Sequence, residues 1–326
     1  MLEVVIYALV KSITFALFAL GFTFAYGVSR LPNFAHGAIF ILTGFLAWTF
    51  VNDFGMSYLL SMILAVAIAA AIGALIYQFV LIRLRGMPTS EIIASFAFSL
   101  IILEGLRIQG IGPFKGFIGP GYAIDPFIVN EYNPVDFSYI GIRIMDAFTI
   151  KGAEGTLFDP NSINFFGVAI DAQRLVIVAG GILLVAGLWA YTRYTKTGLS
   201  LTGIAQDEQA AMMVGVNSDK MAMISLAIGS AFAGIAALLL LPLGNLAVEK
   251  GYEVLILALA VCIIGGLGSW TGAVAAAFIL GFATNLSTVF FGAMWEDVVL
   301  IGTIILILAF KPSGLMGKQK ELEERT

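Results

Sequence analysis

Few side chains in this chain are equipped for chemistry. His36 is the only histidine and Cys262 the only cysteine, so neither an H-E-x-x-H zinc site nor a thiolate metal site can be built. Cys262 lies inside an apolar run and reads as a small packing residue. No G-x-x-x-x-G-K-[ST] occurs, so the chain has no P-loop of its own to cradle nucleotide phosphates. Ser230 and Ser269 follow glycines, but neither sits in a nucleophile context beside a histidine. Enzymatic chemistry is therefore not expected. What stands out is a polar insert, residues 198–216, in which Asp207 and Glu208 interrupt an otherwise apolar sequence. Leu201, Ile204, Ala205, Ala211 and Met212 recur on one helical face, Gln206 and Asp207 lie off it, and Gly215 is placed to cap a helix C-terminus. The reading is one short amphipathic helix, with Thr197-Gly198 closing the preceding span. Membrane-surface helices are rich in Lys and Arg. This one is acidic, so a protein partner, not lipid, is the expected receiver.

Two further groups are candidates. Asn33-Phe34-Ala35-His36-Gly37 follows Pro32, which disfavours helix at Leu31; the chain is expected to break there and restart at Asn33 as an N-cap. A neutral His36 could orient a neighbouring helix by hydrogen bonding, or line a pathway. Gly265-Gly266-Leu267-Gly268 permits either close helix packing or a hinge near a pathway. Small residues four apart, Ser230 with Gly234 and Ala277 with Gly281, would let helices approach closely.

These elements must sit in a membrane. Of 326 residues 60% are hydrophobic and only 12% charged, with mean hydropathy +0.99. The net charge of −4 gives no footprint for nucleic acid. The fold class expected is an all-α polytopic integral membrane protein, with spans near 4–27, 34–51, 57–82, 90–110, 172–194, 221–243, 252–267, 271–291 and 297–311. Eight or nine transmembrane or re-entrant helices result, the short ones being open to a break. Arg30, Arg83, Arg85, Arg193, Lys196, Lys220, Lys311, Lys318 and Lys320 fall on one side. By the positive-inside rule the N-terminus is outside and the C-terminus cytoplasmic. The first span is expected to be retained, since no basic n-region precedes it. The whole of 1–326 reads as one transmembrane domain, with an extracytoplasmic insertion at about 112–171 and a cytoplasmic loop at about 196–220. The insertion has three basic residues (Lys115, Arg143, Lys151) against seven acidic ones (Asp125, Glu131, Asp136, Asp146, Glu154, Asp159, Asp171). Alternation at 140–145 hints at a strand. The insertion is either a decoration or a docking surface for an outside partner.

The motifs have a family likeness. Gly198–Val216, with Ala205-Gln206-Asp207, Ala210-Ala211 and Gly215-Val216, resembles the cytoplasmic signature loop of ABC importer permeases of the branched-chain amino-acid family. Gly21, Tyr26-Gly27 and Asn33-Phe34-Ala35-His36-Gly37 resemble the family's start, and Ile264-Gly265-Gly266-Leu267-Gly268-Ser269 and Phe310-Lys311-Pro312-Ser313-Gly314-Leu315 its later motifs. The short lead before Asn33 is most similar to the H-type subunit. The resemblance implies a permease in the bacterial inner membrane that encloses a solute pathway with a second permease subunit, either an M-type paralogue or a second copy. It also implies two cytosolic ATP-binding subunits holding ATP and Mg, an extracytoplasmic solute-binding protein, and no cofactor in this chain. It makes Gly198, Leu201, Ile204, Ala205, Gln206, Asp207, Glu208, Ala210, Ala211, Gly215 and Val216 the ATPase-coupling loop. Asn33, His36, Gly37, Gly265, Gly266 and Gly268 become pathway or gating candidates. The rival reading is a carrier or channel working without ATP. It lacks an obvious mid-membrane ion site.

Overall fold

The computed structural model describes residues 2–52, 54–107, 162–165, 168–240 and 249–317. Residues 108–161, including the strand expected at 140–145, lie outside them. Long apolar runs free of breakers become helices because a helix satisfies its own backbone in lipid. The order is α1 (Leu2–Ser29), α2 (His36–Asn52), α3 (Tyr58–Ile76), a π-helical turn (Tyr77–Leu81), α4 (Ile82–Leu84), α5 (Pro88–Arg107), α6 (Ala172–Tyr194), α7 (Lys196–Gln206), α8 (Glu208–Met213), α9 (Ser218–Leu240), α10 (Glu249–Gly265), α11 (Trp270–Phe291) and α12 (Glu296–Phe310). A helix stands at each of the nine expected spans. Seven segments among the described residues are long and apolar enough to cross a bilayer, while α2 is shorter. Among the described residues the departure from all-α is a hairpin before α6, β1 (Ser162–Phe165) antiparallel to β2 (Val168–Asp171). Its alternating Ile163, Phe165, Val168 and Ile170 are the strand signal that the sequence reading missed.

α1 is the axis of the bundle, packed against α6, α9, α10 and α11. Glycines set these approaches. A Cβ on Gly21 would lie 2.4 Å from the Gly229 carbonyl, and one on Gly281 2.4 Å from Ser12 Oγ. Gly234 abuts Thr43, and Ser230 abuts Gly73, so both small-residue pairs do seat neighbouring helices. Without a hydrophobic force between helices in lipid, such backbone approach is the main source of packing energy. α12 sits at the periphery, with none of its residues buried.

The second span is broken. Residues 30–35 form no helix, and α2 begins only at His36. His36 Nε2 donates to the Phe18 carbonyl at 3.0 Å. At 1.5 Å per residue, Phe18 lies about 16 Å along α1 from its end at Ser29. The chain thus climbs into the bundle unwound, and α2 starts at depth. The expected break is present, but the helix starts three residues after Asn33.

Gly37→Ala tests this close packing. Its Cβ would lie 1.9 Å from the Gly251 carbonyl, whereas Gly105 has nothing within 4 Å. Overpacking costs about 1–3 kcal/mol, so Gly37→Ala should lower the unfolding midpoint of detergent-purified protein and Gly105→Ala should not. Equal midpoints would contradict the packing.

Candidate functional site

The basic end of the bundle carries the site. α6 ends at Tyr194 and the chain turns at once: Thr195 caps α7, its Oγ1 accepting from the Gly198 N–H at 2.9 Å. Gly198 is therefore inside the first turn of α7, not the closure of the preceding span. Its missing side chain is what allows the turn, since a Cβ would lie 2.0 Å from the Tyr191 carbonyl. Leu201 and Ile204 are buried in a cluster with Leu20, Phe24 and Val28 of α1, Leu188 of α6 and Met221 of α9. Arg30 adds a polar tie. It ends α1 in the left-handed region (φ 57°) and donates from Nη2 to the Ala205 carbonyl at 2.9 Å.

The expected single helix is in fact two. At Asp207 the backbone is extended (φ −153°, ψ 105°), and its carboxylate Oδ1 caps α8 by accepting from the Ala210 N–H at 2.9 Å. An aspartate whose side chain competes for backbone N–H groups starts a helix more readily than it continues one. α8 closes with Gly215 at φ 89°, the Gly215 N–H donating to Met212 and the Val216 N–H to Ala211, a paired C-terminal cap. Ala211 is buried and Ala205 partly so, but Met212 points outward, against the expected face. Met212, Met213 and Val214 are 47%, 82% and 81% exposed, an apolar tip at the end that holds the cations.

The acidic character of the loop is also not what it seemed. Asp207 is spent on a cap. Glu208 turns inward, paired with the Arg85 guanidinium and hydrogen-bonded by the Ser218 hydroxyl. Arg85 pairs at the same time with Asp219 and donates to Ser218 Oγ at 2.8 Å, while the hydroxyl of buried Tyr77 donates to Asp219 at 3.1 Å. Burial works against the Arg85 charge, but Glu208, Tyr77 and Asp219 outweigh it and raise its pKa. Arg85, Glu208 and Asp219 side chains remain 31%, 38% and 49% exposed. Such a pair alone contributes about 0–1 kcal/mol, so the cluster fixes position more than it adds stability. The sequence reading used Arg85 only as a topological charge; no local motif announces a partnership across more than a hundred residues.

The pathway candidates separate into two places. Asn33 and His36 are buried at the break, where Asn33 Oδ1 accepts from the Ala35 N–H at 3.1 Å. Beside them a cavity of about 410 Å³ opens between α5 and α10, lined by Phe34, Ile92, Phe96, Tyr252, Leu255 and Leu259. Gly37 seals α2 onto α10. Gly265, Gly266 and Gly268 lie instead at the basic end, in the α10–α11 turn. Leu315 and Met316 N–H groups bond there to the Ile264 and Gly265 carbonyls, so the closing Lys-Pro-Ser-Gly-Leu segment is stitched to the turn. Gly266 and Gly268 have φ of 100° and 80°. The group forms a tight turn at the end of α10. Gly268 borders a cleft of about 280 Å³ shared with Arg30 and with Thr202 and Gln206 of α7.

Residues 4–308 match the family model described as "Branched-chain amino acid transport system / permease component". The chain belongs to this family of permeases. It is 26% identical to the high-affinity branched-chain amino acid transport system permease protein BraD of Pseudomonas aeruginosa, covering 94% of this chain and 92% of that one. The same values hold for LivH of Escherichia coli strain K12. LivM of Salmonella typhimurium is 24% identical over 93% of this chain and 67% of its own length. The permease is accordingly a multi-pass membrane protein of the transport class.

Replacing Asp207 by Ala removes the cap that separates the two helices. A lost N-cap costs about 1 kcal/mol, so amide hydrogen exchange should speed roughly five-fold in α8 while α9 is unchanged. Unaltered exchange across 208–213 would show that the cap does not hold α8.

Proposed function

We propose that this chain is a permease subunit of an ABC importer for branched-chain amino acids. It lies in the bacterial inner membrane, N-terminus outside and C-terminus cytoplasmic. The observation that carries the reading is the apolar tip Met212-Met213-Val214, presented at the cation-rich end on a helix pair that is tied to α1 and α9. An exposed apolar patch rimmed by polar groups is suited to a protein partner. The partner is one of two cytosolic ATP-binding subunits, which hold ATP and Mg; this chain supplies no nucleotide site of its own.

Membership of the permease family supports the rest of the proposed assembly. A second permease subunit, M-type or a second copy, completes the pathway, and a solute-binding protein delivers the amino acid from outside. Asn33, Phe34, His36 and Gly37 at the broken span form part of the pathway wall, and the apolar lining by Phe34, Phe96 and Leu255 suits aliphatic side chains. Irregular backbone at membrane depth is tolerated only when buried or lining a cavity, and broken helices supply binding sites in many transporters. Closure of the ATP-binding subunits pushes on α7 and α8, and the helices tied to them pass the motion to the wall. The glycine turn at 265–268, where Gly268 borders the cleft shared with α7, is a gating candidate at this end.

The test is co-purification. Met213→Asp with Val214→Asp should abolish capture of the ATP-binding subunits and ATP-dependent leucine uptake, while the permease still elutes as folded protein. Normal capture and uptake with a charged tip would refute the assignment.

A further inference from the structure

α8 is only six residues long and has Ala211 as its one buried residue. A helix of that length does not hold itself in water. It joins α7 through extended backbone at Asp207, a joint about which it could swing. α7 is fastened to α1 by Leu201, Ile204 and the Arg30 bond, whereas beyond the joint α8 adds only the small Ala211 to that apolar cluster. Polar ties of α8 to the rest of the bundle run from Glu208, to Arg85 and to Ser218. Arg85 sits in the short loop directly after α4, on the far side of the bundle's connectivity. Its other arm holds Asp219 in the first turn of α9, and Tyr77, in the π-helical turn at the end of α3, holds the same carboxylate. One guanidinium thus gathers the ends of three elements: α4, α8 and α9.

Resting on the importer reading and deepening it, we propose that Arg85 is a positioning residue for transport, clamping α8 to the ends of α4 and α9 so that motion applied at Met212–Val214 reaches those helices instead of being lost at the Asp207 joint. The coupling element then has two outputs. α7 drives α1, at the foot of the unwound segment. α8 drives the α3–α4 rod and α9, which pack on each other and on α2. The fork geometry of arginine is what the task requires, because Nη1 meets Asp219 while Nη2 meets Glu208, and a lysine ammonium is a point charge without two nitrogens fixed in direction. Elsewhere at this end Arg30 bonds a carbonyl of α7, and Arg193 lies over the Trp189 ring.

The experiment uses the assembled importer in proteoliposomes, with leucine as the probe, and reads leucine moved per ATP hydrolysed. A merely structural arginine would change the amount of complex but not this ratio. In Arg85→Ala the ratio should fall by about ten-fold, the scale of a coupling residue remote from both ligands. Arg85→Glu should fall at least as far, and adding Glu208→Arg to it should restore most of the loss. An unchanged ratio in Arg85→Ala, or a double variant no better than Arg85→Glu, overturns the proposal. Should Arg85→Ala fail to assemble, Arg85→Lys keeps the charge without the fork and is judged by the same ratio. Wild-type vesicles showing no ATP-dependent uptake would sink the importer reading itself; coupled wild type with an indifferent Arg85→Ala sinks only the clamp.

Discussion

A backbone that leaves the helix inside a bilayer must find its hydrogen-bond partners within the protein. Residues 30–35 do so almost group by group. The Arg30 N–H returns to the Tyr26 carbonyl, Leu31 to Ser29 Oγ, Phe34 to Ser95 Oγ, Ala35 to Asn33 Oδ1 and His36 to the Asn33 carbonyl, while Pro32 has no N–H to satisfy. This accounting fixes much else. It requires α5 to bring Ser95 alongside, a histidine to reach α1 at Phe18, and Gly37 to seat α2 against α10. It also puts Arg30 at the foot of the break, where the guanidinium meets α7. The unwound stretch and the α7–α8 pair are therefore joined through Arg30.

How far the sequence foretold this differs from element to element. Apolar runs of span length are legible because lipid leaves the backbone so few options, and all nine were placed. The break was legible through Pro32, and the cap at Gly215 through its glycine. The break's depth was not, because it depends on the long-range bond between His36 and Phe18. Likewise Asp207 was visible as a polar residue in a helical pattern, but whether it continues or starts a helix depends on Thr195 and Gly198 setting the frame before it. The Arg85 cluster was not legible at all. Its members come from three separate stretches, and each taken alone is an ordinary charge near a membrane boundary.

The charge on the coupling segment has a different meaning from the one its composition suggests. Asp207 and Glu208 face the protein's own backbone and Arg85, so the acids organise the segment and do not advertise it. What faces outward is the apolar run Met212, Met213 and Val214, with exposed Gln206 and Gln209 nearby in the segment. Methionines suit such a surface, since their flexible, polarisable side chains fit irregular grooves at little strain. Under the proposed importer assignment this apolar tip is the surface a soluble subunit would cover.

The most direct measurement places a single cysteine at position 213, in a Cys262→Ala background, and labels it with a membrane-impermeant maleimide. Labelling in inside-out vesicles stripped of peripheral proteins, none in right-side-out vesicles, and protection when the ATP-binding subunits are restored is the expected result. Labelling from the outer face, or equal labelling with and without those subunits, would contradict the account.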